Sequence, residues 1–147
     1  MMTRHRSTWS SRKDPIAIAR AAQSAERFRR ELEAPLLRTE VPDLLGLSIE
    51  LAEGGQGGSM PETRHVRRFV LATARALFLI PCGNPLCQGG GHDISTVVMG
   101  ALRSHRPEQA GDSPCPGLVD GTPCTRTVHF IVRGTFEDTL ATVSPRS

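Results

Sequence analysis

The sequence predicts an α+β fold: a small, mostly antiparallel sheet with one packed helix, a four-cysteine metal centre and a helical arm at the N-terminus. Three observations carry this. Hydrophobic residues make up 38% of the 147-residue chain, with five Phe, one Trp and no Tyr, so one domain of this size has a thin core. Segments of alternating apolar character are interleaved with two segments of three-four helical period. The chain's four cysteines fall in two pairs, Cys82 with Cys87 and Cys115 with Cys124, on either side of the second of those helical segments.

Residues 1–13 set Ser7, Thr8, Ser10 and Ser11 among Arg4, Arg6, Arg12 and Lys13 without any apolar period, which predicts a disordered basic tail with Trp9 alone in it. Asp14 followed by Pro15 opens a helix, because the Asp oxygen accepts from free first-turn amides and proline fits the first helical position. Ile18, Ala21, Ala25, Phe28 and Leu32 then make a narrow apolar seam that stops at Pro35. The seam is expected to pack on the domain or on a second copy of itself. Glu26 with Arg30, Arg27 with Glu31 and Arg29 with Glu33 are spaced to support the exposed face. Residues 14–38 form this helical arm, and residues 39–147 form the zinc-binding α+β domain.

Within the domain, Leu44 to Leu51 predicts a first strand, closed by the glycine-rich Gly54-Gly55-Gln56-Gly57-Gly58. From Val66 to Ile80 the alternation is imperfect and fits two consecutive strands or one long bent strand, with a helix through the alanine-rich middle as the competing reading. Pro81 to Cys87 has the composition of a tight turn, and Gly89-Gly90-Gly91 frees the backbone that leaves it. Asp93 caps the second helix, whose Ile94, Val97, Val98, Ala101, Leu102 and His105 share one face until Pro107. A polar loop is expected from there to Ser113. Cys115-Pro116-Gly117 and Gly121-Thr122-Pro123-Cys124 bracket a second turn, and Thr127 to Phe136 alternates as a last strand through Val128, Phe130 and Val132.

Four thiolates suit one tetrahedral zinc ion, and a four-sulfur shell leaves no open position for chemistry. Two disulfides would instead require export. The short apolar stretch from Pro15 to Ala22 carries Arg20 and makes no signal-peptide core, so a reducing cytoplasm is the expected compartment. The longest apolar run, Ala76 to Ile80, is far below membrane-spanning length. A strand that delivers Cys82 to a Gly/Pro turn, a return at Cys87, and a second cysteine turn that leads into a strand together resemble a zinc ribbon from Cys82 to about Phe136. The pairs enclose four and eight residues, with a helix between them, where ribbons usually enclose two. The resemblance implies that Cys82 and Cys87 form one knuckle and Cys115 and Cys124 the other, gripping a structural Zn2+ that scaffolds nucleic-acid or protein contacts. His92 is an alternate ligand.

Net charge is +3 and uneven. Residues 1–38 hold nine Lys or Arg against four Asp or Glu, and residues 39–147 hold nine against eleven. The basic leader therefore makes Arg4, Arg6, Arg12 and Lys13 candidate nucleic-acid contacts through phosphate neutralisation, joined by Arg67 and Arg75, which would share one face of a strand. The composition thus points to a small zinc-stabilised binding or regulatory module whose partner is nucleic acid or a protein complex, with homo-oligomerisation through the N-terminal helix as an option. The alternative is a zinc-dependent or thiol-redox enzyme in which Asp93 orients His92 beside the cysteines.

Overall fold

A computed structural model describes residues 14–55 and 63–137. The tail expected over residues 1–13 and the glycines beyond Gly55 lie outside them. The architecture is α+β around a four-stranded antiparallel sheet. Strand β1 (Leu44–Gly55) lies between β2 (Thr63–Arg68) and β8 (Arg126–Phe136), and β5 (Glu108–Pro114) completes the order β2-β1-β8-β5. Register places Ile49 opposite Val132 and Leu51 opposite Phe130. Strand alternation turns these residues, with Leu47 and Val128, to one buried face. Ser48, Glu50, Ile131 and Arg133 take the other face, where Glu50 accepts from Arg133 at 3.1 Å.

The inner face is covered by α3 (Ser95–Arg103), which buries Val98, Met99, Ala101 and Leu102. Ile94 just before it and the short α2 (Leu37–Glu40), with its fully buried Leu37, complete that core. Asp93 accepts the Ser95 amide at 3.0 Å and Ser95 Oγ accepts the Phe78 amide at 2.8 Å, so the start of α3 is fixed to the strand that precedes the cysteines. Val97, expected on the buried face, is 40% exposed, and Met99 takes its place.

Two expectations change in the sheet. The stretch from Val66 to Ile80 is neither one bent strand nor a helix. β2 ends at Arg68, a turn follows in which Val70 O accepts the Ala74 amide at 2.9 Å, and the chain resumes as the two-residue β3 (Leu79–Ile80), paired with β4 (His92–Asp93). Between the strands Phe69, Leu71, Ala74 and Ala76 pack onto the core edge, with Phe69 meeting Phe78 edge-on at 5.5 Å. That interleaving of packed residues blurred the two-residue period. The expected polar loop before Ser113 is in fact β5. Its inward positions Gln109, Gly111 and Ser113 are small or polar, so no apolar alternation marks it. Gly111 is required there, because a Cβ would lie 2.5 Å from the ring of Phe130.

The arm is α1 (Pro15–Glu33), capped by Asp14, whose Oδ1 accepts the Ile16 and Ala17 amides at 3.1 and 3.2 Å. Arg29 bridges Glu26 and Glu33, the latter at 2.9 Å, so Glu26 pairs with Arg29 rather than the expected Arg30, and Arg27 bonds to Ser24 rather than Glu31. The seam does not pack on the domain. Ile18, Phe28 and Leu32 are 58%, 61% and 55% exposed, and no residue of α1 is buried. Its opposite side, carrying Arg20, Gln23 and Arg27, faces the cysteine loops. Among the described residues no helix is long and apolar enough to cross a membrane.

Phe130 is the largest side chain at the sheet centre. Phe130→Ala is expected to lower stability by about 3–5 kcal/mol in denaturant titration.

Candidate metal centre

Three separate segments deliver the four sulfurs. Cys82 and Cys87 lie in the loop between β3 and β4, Cys115 directly follows β5, and Cys124 sits between β7 (Thr122–Pro123) and β8. The first loop turns through Asn84, whose Oδ1 accepts the Leu86 amide at 3.0 Å and whose carbonyl accepts the Cys87 amide at 3.1 Å. The second is a hairpin of β6 (Leu118–Val119) and β7, reversed at Asp120 and Gly121, which have φ of 52° and 77°. Two successive positive φ values match the strand twist of a tight hairpin and favour Asp-Gly. That dipeptide was a legible signal for the hairpin. The loops are stitched together by reciprocal backbone bonds between Gln88 and Leu118, both 2.9 Å, while the Cys115 amide donates to Arg126 O at 2.9 Å.

The outcome is convergence. The four sulfurs lie within 4.8 Å of one another, with Cys82 to Cys124 at 3.8 Å and Cys87 to Cys115 at 3.6 Å. Those separations are far too long for a disulfide of about 2.05 Å. A tetrahedron of sulfurs about 2.3 Å from a central zinc has edges of about 3.8 Å, so the spacing fits a shared tetrahedral metal ion. Cys82, Cys87 and Cys115 are buried and Cys124 is half-buried. Gly90 and Gly117 close around them, since a Cβ at either position would collide with the Cys87 sulfur.

The surroundings are arranged for negative sulfur. The Asn84 amide points at Cys82 Sγ, and the Gly91 and Gly117 amides at Cys115 Sγ, each at 3.4 Å. Burial raises the Cys82 and Cys87 thiols, the latter to about 11. Burial also opposes ionisation of Cys115, but the Gly91 and Gly117 amides and the neighbouring thiols outweigh it and hold Cys115 below its ordinary value. Three or four thiolates in this volume would repel one another without a cation. A divalent metal reverses that cost and deprotonates its ligands.

His92 stands outside the sulfur group. Its ring is buried beside Glu53, Nε2 to Oε2 3.5 Å, and neither nitrogen has a hydrogen-bond partner among the described residues. Burial holds the imidazole below its ordinary pKa against the pull of Glu53. Asp93 accepts the Ser95 amide just before α3, whose N-cap is Ile94, and faces Arg30 at 3.7 Å, so the expected His92–Asp93 dyad does not form. Arg67 lies over the Phe69 ring at 5.3 Å, whereas Arg75, beyond the turn, donates to Ala34 O at 2.8 Å. They therefore do not share a strand face. Arg4, Arg6, Arg12 and Lys13 lie outside the described residues.

Two residues at the centre escaped the sequence reading. Glu53 accepts the Gly83 amide of the first loop at 2.9 Å and lies 3.4 Å from Arg126, tying β1 and β8 to that loop. Its signal was available, because it continues the inward positions Ile49 and Leu51 as a lone charge. Arg20 of α1 donates to the carbonyls of Cys87 and Cys82 at 2.9 and 3.1 Å. Nothing distinguishes it in sequence from a solvated helix arginine.

No family model matches the chain, and no curated protein or solved structure does either. Gly117→Ala, which inserts a methyl against the Cys87 sulfur, is expected to abolish the sulfur-to-metal charge-transfer band of the cobalt-substituted protein, which a surface control such as Gly100→Ala leaves intact. For His92, the folded state binds fewer protons than the unfolded chain once pH falls below about 6.5. Its contribution is therefore complete above that pH and is lost as pH falls. His92→Leu removes this loss, so urea titrations at pH 7.5 and 6.0 should differ less for the variant than for the parent.

Proposed function

We propose that this chain is a small binding module in which Cys82, Cys87, Cys115 and Cys124 hold one structural Zn2+ in a zinc-ribbon-like centre, and in which α1 presents a protein-contact surface. The observation that carries the reading is the pairing of two features on one helix. One face of α1 is bonded to the cysteine loops, while the other turns Ile18, Phe28 and Leu32 outward at coiled-coil spacing. Four sulfurs complete a tetrahedral shell, which supports a structural rather than a catalytic metal. Structural zinc can contribute on the order of 10 kcal/mol to folding, comparable with the whole stability of a small domain, about 5 to 15 kcal/mol. A reducing compartment such as the cytoplasm suits four unpaired thiols.

Within the described residues charge favours a protein partner, since thirteen arginines face thirteen Asp and Glu there, and the cationic surplus of the chain lies in Arg4, Arg6, Arg12 and Lys13. Several of those arginines are engaged internally, Arg75 with Ala34 O and Arg133 with Glu50 and Glu108. A phosphate-binding face needs surplus cations. The enzyme reading has less support, because His92 is buried and Asp93 is engaged by the Ser95 amide and faces Arg30.

Metal analysis of the purified full chain should give one zinc per chain, with four thiols becoming titratable only after chelation. Less than half an equivalent of zinc in every preparation would contradict the reading. Phe28→Glu should leave the zinc content unchanged and reduce self-association or partner capture through α1 by about tenfold or more. Binding to random duplex DNA that weakens steeply with salt and survives Phe28→Glu would favour nucleic acid instead.

A further inference from the structure

The way α1 is attached gives the metal centre a second role. Nothing in the helix is buried, and its apolar stripe faces away from the domain, so hydrophobic packing does not hold it in place. Its attachment is polar: Arg30 faces Asp93 at 3.7 Å, and the hydrogen bonds fall on the cysteine loops. The Arg20 guanidinium reaches both Cys87 O and Cys82 O, and Gln23 donates to Gly90 O, at a residue where a Cβ would collide with the Cys87 and Cys115 sulfurs. Clefts of about 230 and 170 Å3 run along this junction, which is therefore not close-packed.

The far end of the helix is held independently. Arg75 donates to Ala34 O at 2.8 Å, and the Ala76 amide donates to Pro35 O at 2.8 Å. Ala34 itself is extended, with φ −72° and ψ 151°. The helix thus has a latch at Arg20 and a hinge at Ala34 and Pro35.

We propose that Arg20 makes α1 a metal-sensing arm: it is docked while a metal ion draws Cys82 and Cys87 together, and released about the Ala34–Pro35 hinge when the metal leaves. The inference rests on the structural-metal reading above. Arg20 can span two carbonyls only if they converge, and those carbonyls belong to residues whose sulfurs must themselves meet at one centre. Its fork of donors suits two fixed acceptors, which a lysine cannot match. Arg20 also sets a permanent cation beside a centre that carries net negative charge when four thiolates bind one divalent ion. Freed from the domain, α1 loses the tertiary contacts that stabilise helices in proteins, so release appears as faster amide exchange.

The test is amide hydrogen exchange across α1 in the full chain, with zinc content measured in parallel. In the zinc-loaded parent the α1 amides should be protected. In zinc-loaded Arg20→Gln they should exchange faster by on the order of tenfold or more, while β1 and β8 stay protected and one zinc per chain is retained. Arg20→Lys should fall between the two. Chelation of the parent should raise α1 exchange at least to the rate seen in Arg20→Gln, and unchanged protection after chelation would overturn the proposal. Unchanged α1 protection in zinc-loaded Arg20→Gln, or loss of zinc together with protection in that variant, would overturn the latch while leaving the metal centre standing. A parent chain that never acquires metal would instead overturn the reading on which the latch depends.

Discussion

The convergence of four sulfurs from separate segments is the constraint on which the rest of this molecule depends. The apolar core around Phe130, Ile49 and Leu51 holds the sheet and α3 together, but it does not reach the cysteine loops. Those loops form a separate small cluster of Cys82, Cys87 and Cys115, with Val119 and Cys124 against it. Two-residue strands, one bridge and a few turn hydrogen bonds organise the backbone there. A metal ion bound by the four sulfurs would replace repulsion among thiolates with four strong bonds and so supply the cohesion that apolar area does not.

Coupling between the two halves runs through a few polar contacts. Glu53, at the end of the longest strand, holds the Gly83 amide and faces Arg126, so the sheet and the first cysteine loop share one carboxylate. His92 is packed beside it with no hydrogen bond to offset its burial, which marks the site as sensitive to acid. On the outside, Arg20 joins α1 to the same loops. Glu53 and Arg20 contact the backbone of the cysteine loops rather than the sulfurs themselves. Disorder at the centre would therefore spread to both the sheet end and the arm.

Much of this was legible in the sequence, for identifiable reasons. The Asp14-Pro15 start of α1 and the Val128, Phe130, Val132 alternation of β8 are local signals that tertiary structure had no cause to override. The pairing of cysteines with Gly and Pro turns marked the metal centre, although spacing alone did not show how the loops would meet. The rest depended on contacts that periodicity does not record. Strand β5 was hidden because Gly111 must be small beneath Phe130, and the stretch after Arg68 because loop residues fill the core edge. The seam of α1 was read correctly as apolar, and of the two neighbours expected for it the domain is excluded, because Arg20 and Gln23 dock the helix by its polar side.

The account turns on the coordination sphere, and X-ray absorption at the zinc edge of the purified full chain tests it most directly. Four sulfur scatterers at about 2.3 Å, with no nitrogen or oxygen in the shell, is the predicted result. A shell containing imidazole nitrogen or water oxygen, or protein folded as the parent with no metal bound, would contradict it.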